Sequence, residues 1–204
     1  KLEQNFNLLA TESSSDTSIL LLHGRGLHPS EPNIIDPLRV DLINVGYNVF
    51  SLQLPVLEKG KSYNEYVKIF KYSDTRIESA LNYIDSKKII IIAHSCGAHM
   101  LLSFIDNMGI GNISGIVLLG AGAVDKGQAM KTDINLSNYK IPVLNIYAEY
   151  DHNSVKQFAD VLKLQYSISQ DKYLNALEVN SADHNYKDQT YTLIESVKKW
   201  LKAL

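Results

Sequence analysis

Ile89-Ile90-Ile91-Ile92-Ala93-His94-Ser95-Cys96-Gly97 is the stretch on which the reading of this chain turns. A run of four isoleucines reads as a strand buried on both faces, as in the middle of a parallel sheet. Directly after it, from Ala98 to Met108, the residues Met100, Leu101, Phe104, Ile105 and Met108 recur at helical spacing. The serine at the junction has a small residue two positions away on either side, Ala93 and Gly97. That is the pattern of a nucleophile elbow, a strand-to-helix turn so sharp that only small side chains fit beside it. Such a turn lifts the hydroxyl above the sheet and aims the next backbone N–H at the same point. The competing reading of Ser95 is a plain helix N-cap, which requires neither small neighbour.

Outward from this junction, strands and helices alternate. Ser18 to Leu22 reads as a strand ending at His23-Gly24-Arg25-Gly26, and Ile34 to Val45 as a helix closed by Gly46. Asn48 to Leu54 is a strand stopped by Pro55, and residues 56 to 72, polar and tyrosine-bearing, read as irregular. Asp74 to Asp85 turns Ile77, Leu81 and Ile84 inward, with Ser73 available as N-cap. Beyond the elbow come strands at Gly115 to Leu119, Pro142 to Ala148 and Leu174 to Val179. A helix from about Ser154 to Gln165 and a closing amphipathic helix bearing Tyr191, Ile194, Val197 and Leu201 complete the pattern. Uninterrupted apolar strands alternating with helices predict an α/β fold, a doubly wound, mostly parallel sheet with helices on both faces. No linker-like segment divides residues 1–204, so one domain is expected; the Thr11-Glu12-Ser13-Ser14-Ser15-Asp16 run reads as a polar turn.

Composition narrows the function classes. The chain has 204 residues, 45% hydrophobic and 21% charged, ordinary values for a globular domain with a sizeable core. A net charge of -2 gives no electrostatic case for nucleic acid or an anionic membrane. No apolar run approaches the roughly 20 residues that span a bilayer. The single cysteine, Cys96, rules out an intrachain disulfide and leaves the compartment open. The first residue is Lys1, so a signal peptide removed upstream would be consistent with a periplasmic or secreted location, and its absence with a cytoplasmic one. Oligomeric state is not legible.

In doubly wound sheets, active groups gather at the carboxyl ends of the strands. Here those ends carry His23-Gly24-Arg25-Gly26, then Ser95, then Glu149-Tyr150-Asp151, then Asp183-His184. That order on this fold resembles the α/β-hydrolase superfamily over nearly the whole chain, and within it small bacterial hydrolase-like proteins of uncharacterised function. The resemblance implies Ser95 as nucleophile, His184 as general base and Asp151 as the acid that orients it. It also implies an oxyanion hole from the backbone N–H groups of Cys96 and Arg25, each such donor typically worth about 3 kcal/mol in the transition state. Glycine is commoner than Ala93 at the first small position of the family's elbow, although alanine still fits. Glu149 competes with Asp151 for the acid. Cys96, one past the tip of the turn, reads as buried and inert and not as a thiol nucleophile.

The other histidines have quieter readings. His23 is expected to shape the oxyanion loop, and His28, His99 and His152 to be solvent-facing or packed. No helical His-x-x-x-His pair is present among the six histidines, so no metal and no cofactor is expected. Gly120-Ala121-Gly122-Ala123-Val124-Asp125 opens like a dinucleotide fingerprint but lacks the third glycine, and is read as one wall of the active site. Arg25 either contacts substrate or braces the loop through Glu31 or Asp36. Only residues 121 to 140 are available for a lid after the strand ending near Gly120, so the lid is minimal; residues 56 to 72, with Tyr63, Tyr66, Phe70 and Tyr72, are the alternative cover. The expected activity is hydrolysis of a carboxylic ester, thioester, amide or lactone of a small-molecule acyl substrate. The alternative is a non-catalytic relative that binds a ligand or a protein partner on the same fold.

Overall fold

The computed structural model describes residues 5–131, 134–170 and 172–204. Its strands are β1 (Leu8–Thr11), β2 (Thr17–Leu22), β3 (Asn48–Leu52), β4 (Lys88–His94), β5 (Ile113–Leu119), β6 (Val143–Ala148) and β7 (Leu174–Val179). They form one seven-stranded sheet in the order β1-β3-β2-β4-β5-β6-β7. Every pairing is parallel except that of β1, which runs antiparallel to β3.

Residue alternation along the strands divides the core in two. Leu20, Leu22, Phe50, Leu52, Ile89, Ile91, Ile116 and Leu118 face one layer. Ile19, Leu21, Val49, Ile90, Ile92, Val117 and Leu119 face the other. The first layer is closed by α3 (Phe70–Tyr83), α4 (Cys96–Met108) and the apolar side of α5 (Asn153–Ile168). The second is closed by α1 (Ile35–Asn44) and α6 (Thr190–Leu201). The four isoleucines serve both layers at once, because successive side chains of a strand point to opposite faces. Each such side chain taken fully out of water contributes about 1.5–3 kcal/mol. The predicted doubly wound, mostly parallel α/β sheet is therefore present, with β4 and its serine turn in the middle.

Several local expectations are corrected. Residues 56–72 are not irregular: α2 (Tyr63–Val67) starts there on a capping box of Ser62 and Glu65, and α3 begins at Phe70. Ser73 consequently lies inside α3 and not at its start, and its hydroxyl donates to the Phe70 carbonyl. In α6 the inward residues include Leu193 and Trp200, whereas Tyr191 is 77% exposed. No helix among the described residues is long and apolar enough to cross a membrane.

Candidate active site

The turn between β4 and α4 places Ser95 at φ 52, ψ -121, a backbone conformation that L-residues avoid. It is held there from both sides. The Ser95 N–H continues the ladder to the Leu119 carbonyl at 2.8 Å, and the Ser95 carbonyl accepts the Ala98 N–H at 3.0 Å to begin the helix. Gly97 is the close approach that the sharp turn demands, since a Cβ there would lie 2.4 Å from the His23 carbonyl oxygen. The loop after β2 is packed just as tightly: a Cβ on Gly24 would be 3.3 Å from the Ser95 Cβ. Arg25 is therefore the next residue along a loop pressed against the serine. The N–H of Cys96, first in α4, has no carbonyl within the helix to bond to.

The structure brings Ser95, His184 and Asp151 together, although they follow three different strands. His184 Nε2 lies 2.9 Å from Ser95 Oγ, and His184 Nδ1 lies 2.7 Å from Asp151 Oδ1. With the Nδ1 proton donated to the carboxylate, the Nε2 lone pair accepts the serine hydroxyl. The Asp151 side chain is fully buried while that of His184 remains 18% exposed. Burial alone would raise the Asp151 pKa. The His184 hydrogen bond and charge, with N–H groups from His152 and Ala148, outweigh it and hold the pKa below the usual carboxylate value. Glu149 is engaged elsewhere, accepting the Ser181 N–H at 2.7 Å. Gly120, at φ +56, packs against the base, since a Cβ there would sit 2.9 Å from His184 Cε1. The glycine turn thus lies beside His184, as a wall would.

Other expectations fall differently. Arg25 braces the loop, but through neither Glu31 nor Asp36: its guanidinium forms a two-pronged pair with Asp125 at 2.7 and 2.8 Å. Glu31 instead accepts the N–H groups of Asn33, Ile34 and Ile35, and Asp36 pairs with Arg39. Because β2, β4 and β5 are neighbours in that order, the Arg25–Asp125 pair spans from one side of the Ser95 turn to the other. Asp125 also accepts the Tyr63 N–H, while Tyr63 Oη accepts the Lys131 N–H. The 56–72 segment is therefore tied to the 121–131 loop, and its Tyr63 and Tyr66 side chains are core and not an open cover. Cys96 is buried and its thiol pKa is pushed up to about 12 by burial, which leaves it uncharged and unreactive.

Three histidines at this end of the sheet are buried and neutral. His23 is pinned by the Leu54 N–H on Nε2 and the Gly24 carbonyl on Nδ1, as expected of a loop-shaping residue. His94 donates from Nε2 to the His184 carbonyl at 3.2 Å, and His99 accepts the Gly122 N–H. His99, expected to be solvent-facing or packed, is packed and in addition grips the glycine turn; the signal for that was a histidine on the inner face of an otherwise apolar helix. Burial pulls their pKa values from 6.5 down to about 4 for His23 and His94 and about 3 for His99. Between those values and 6.5 the unfolded chain binds protons that the folded one refuses, so stability is fully present above pH 6.5 and is lost as pH falls toward 4. The expected loss is up to about 1.4 kcal/mol per pH unit for each such histidine. Thermal melts across this window should show a falling Tm, with a shallower fall in His99→Gln; a flat Tm would contradict buried, neutral histidines.

No protein-family model and no curated protein matches the sequence. Solved structures do match in shape. An esterase from Exiguobacterium antarcticum superposes with a TM-score of 0.72 at 12% identity, covering 97% of this chain and 95% of that one. The esterase Est1E from Butyrivibrio proteoclasticus gives 0.71 at 16%, covering 97% and 93%, and an esterase from Pyrococcus furiosus gives 0.69 at 15%, covering 99% and 92%. The chain has the α/β-hydrolase fold.

Proposed function

We propose that this protein is a serine hydrolase that cleaves a carboxylic ester or related acyl bond through an acyl-enzyme on Ser95. The observation that carries the reading is the continuous hydrogen-bonded chain from Ser95 Oγ through His184 to the buried Asp151. In the first half-reaction Ser95 Oγ bonds to the acyl carbon while His184 Nε2 takes the hydroxyl proton. Asp151 stabilises the imidazolium and keeps its ring oriented. The carbonyl oxygen, now an oxyanion, is received by the N–H groups of Cys96 and Arg25. Its collapse expels the alcohol (or thiol or amine), which leaves with the proton from His184. Water then repeats the sequence, releasing the acid and restoring Ser95. Neighbours of the same fold that are named esterases support this class of bond.

The Arg25–Asp125 pair and the tethered 56–72 segment support small or narrow acyl substrates, since loop-to-loop ties occupy the space a mobile lid would need. The test is intact-mass spectrometry after incubation with a fluorophosphonate. One adduct on the wild type and none on His184→Ala is the expected result; an unlabelled, folded wild type would overturn the proposal. Glu149→Gln should label within about twofold of the wild-type rate, because its carboxylate serves the Ser181 N–H and not His184. A large loss in that variant would transfer the acid role to Glu149.

A further inference from the structure

We propose that Asp151, His152 and His184 form a binding site for a borderline transition cation of the zinc type, and that its occupancy switches off Ser95. The binding half stands on geometry alone; the inhibitory half rests on the serine hydrolase reading.

One carboxylate oxygen and one ring nitrogen from each histidine all lie within 4.8 Å of one another. The two imidazoles meet edge-on, with centroids 5.0 Å apart. His152 caps the N-terminus of α5 at the surface, and its own N–H donates to Asp151 Oδ1 at 2.8 Å. Its main chain is thus fixed to the carboxylate, while no hydrogen bond from the described residues holds its ring. Tetrahedral zinc, with bonds of about 2.0–2.2 Å, sets its ligand atoms roughly 3.3 Å apart. Turning the exposed His152 ring draws its nitrogen in, and the His184 Nδ1–Asp151 Oδ1 pair, 2.7 Å apart, opens as the cation replaces their shared proton. Two imidazoles and one carboxylate suit zinc and disfavour magnesium and calcium, which take oxygen ligands. Three protein ligands leave a fourth position for water.

The cation would disable the base from Nδ1, the ring nitrogen that faces Asp151, while Nε2 faces Ser95. On Nδ1 it displaces the hydrogen bond to Asp151, and the ring's one proton shifts to Nε2, which then donates to Ser95 Oγ instead of accepting from it. His152 and His184 are too far apart in the chain for metal-ligand spacing to be read from the sequence, which is why the sequence alone points to no metal.

The experiment pairs calorimetric titration with Zn2+ and the fluorophosphonate labelling rate, on wild type and His152→Ala, with Mg2+ as control. The wild type should bind one Zn2+ per chain and no Mg2+. At saturation its labelling should slow at least tenfold and recover with a chelator. His152→Ala should bind Zn2+ at least tenfold more weakly, and Zn2+ should slow its labelling far less relative to its own metal-free rate, in line with what lost metal-site contacts carry. Absence of Zn2+ binding, or equal affinity and equal inhibition in His152→Ala, would overturn the site. A wild type that binds Zn2+ but never labels would instead overturn the hydrolase reading and leave the site standing.

Discussion

On the proposed serine hydrolase mechanism, replacing Ser95 with alanine should lower kcat by at least about 10⁴-fold and shift Tm by no more than about 2 °C. The hydroxyl contributes one hydrogen bond, to His184 Nε2 at 2.9 Å, so little packing depends on it. Alanine is as strained as serine at φ 52, and the fold neither gains nor loses on that account. The residual rate would come from the N–H groups of Cys96 and Arg25 and from substrate binding, which the substitution leaves in place. Ser95→Gly separates strain from chemistry. Glycine accepts a positive φ freely, so this variant should be equally inactive yet more stable, by about 1 kcal/mol in urea unfolding. Turnover retained in Ser95→Ala would displace the nucleophile from this position.

Gly97→Ala carries the largest expected cost in stability, about 3 kcal/mol, a substantial part of the 5–15 kcal/mol that separates most folded domains from unfolding. Helix propensity alone would favour alanine by about 1 kcal/mol. Against it, the new methyl would lie 2.4 Å from the His23 carbonyl oxygen and 2.9 Å from that of Leu22, both main-chain atoms of β2 and its loop. Neither can swing away as a flexible side chain would. Relief requires moving the loop that holds Arg25, so kcat should fall together with the urea midpoint. Gly115→Ala is the control: its Cβ would meet the Trp200 ring at 3.4 Å, an ordinary contact, and should cost less than about 1 kcal/mol. Equal midpoints for the two variants would refute the close-approach account.

The centre of this molecule was legible because its local signals agree. Four isoleucines followed by a serine between small residues allow few arrangements, and the strand ends then point to Asp151 and His184. What escaped was decided by partners distant in the chain or by weak local patterns. β1 is a four-residue edge strand whose side chains are partly or fully exposed, so it carries no apolar alternation to read. The Ser62–Glu65 capping box stood in plain view, and Tyr63, Tyr66, Val67 and Phe70 after it keep helical spacing; the polar residues between them drew the reading away from a helix. Arg25 has carboxylates nearby in sequence at Glu31 and Asp36, yet pairs with Asp125 across the turn between neighbouring strands. Charge alone cannot choose among three acids; the strand order does.

That strand order also has a consequence for synthesis. After β4 each new strand joins the sheet beside the one made just before it, so a chain emerging from the ribosome can extend the sheet outward without rearrangement. The growing edge is formed in turn by β4, β5 and β6, each almost wholly apolar, until β7 covers it with a strand that keeps most of its side chains in water. Ser95 is translated early in this series and His184 only after its last strand. On the proposed mechanism, a stalled or truncated nascent chain would present the serine turn without its base, and hydrolysis would begin only once the vulnerable edge had been sealed.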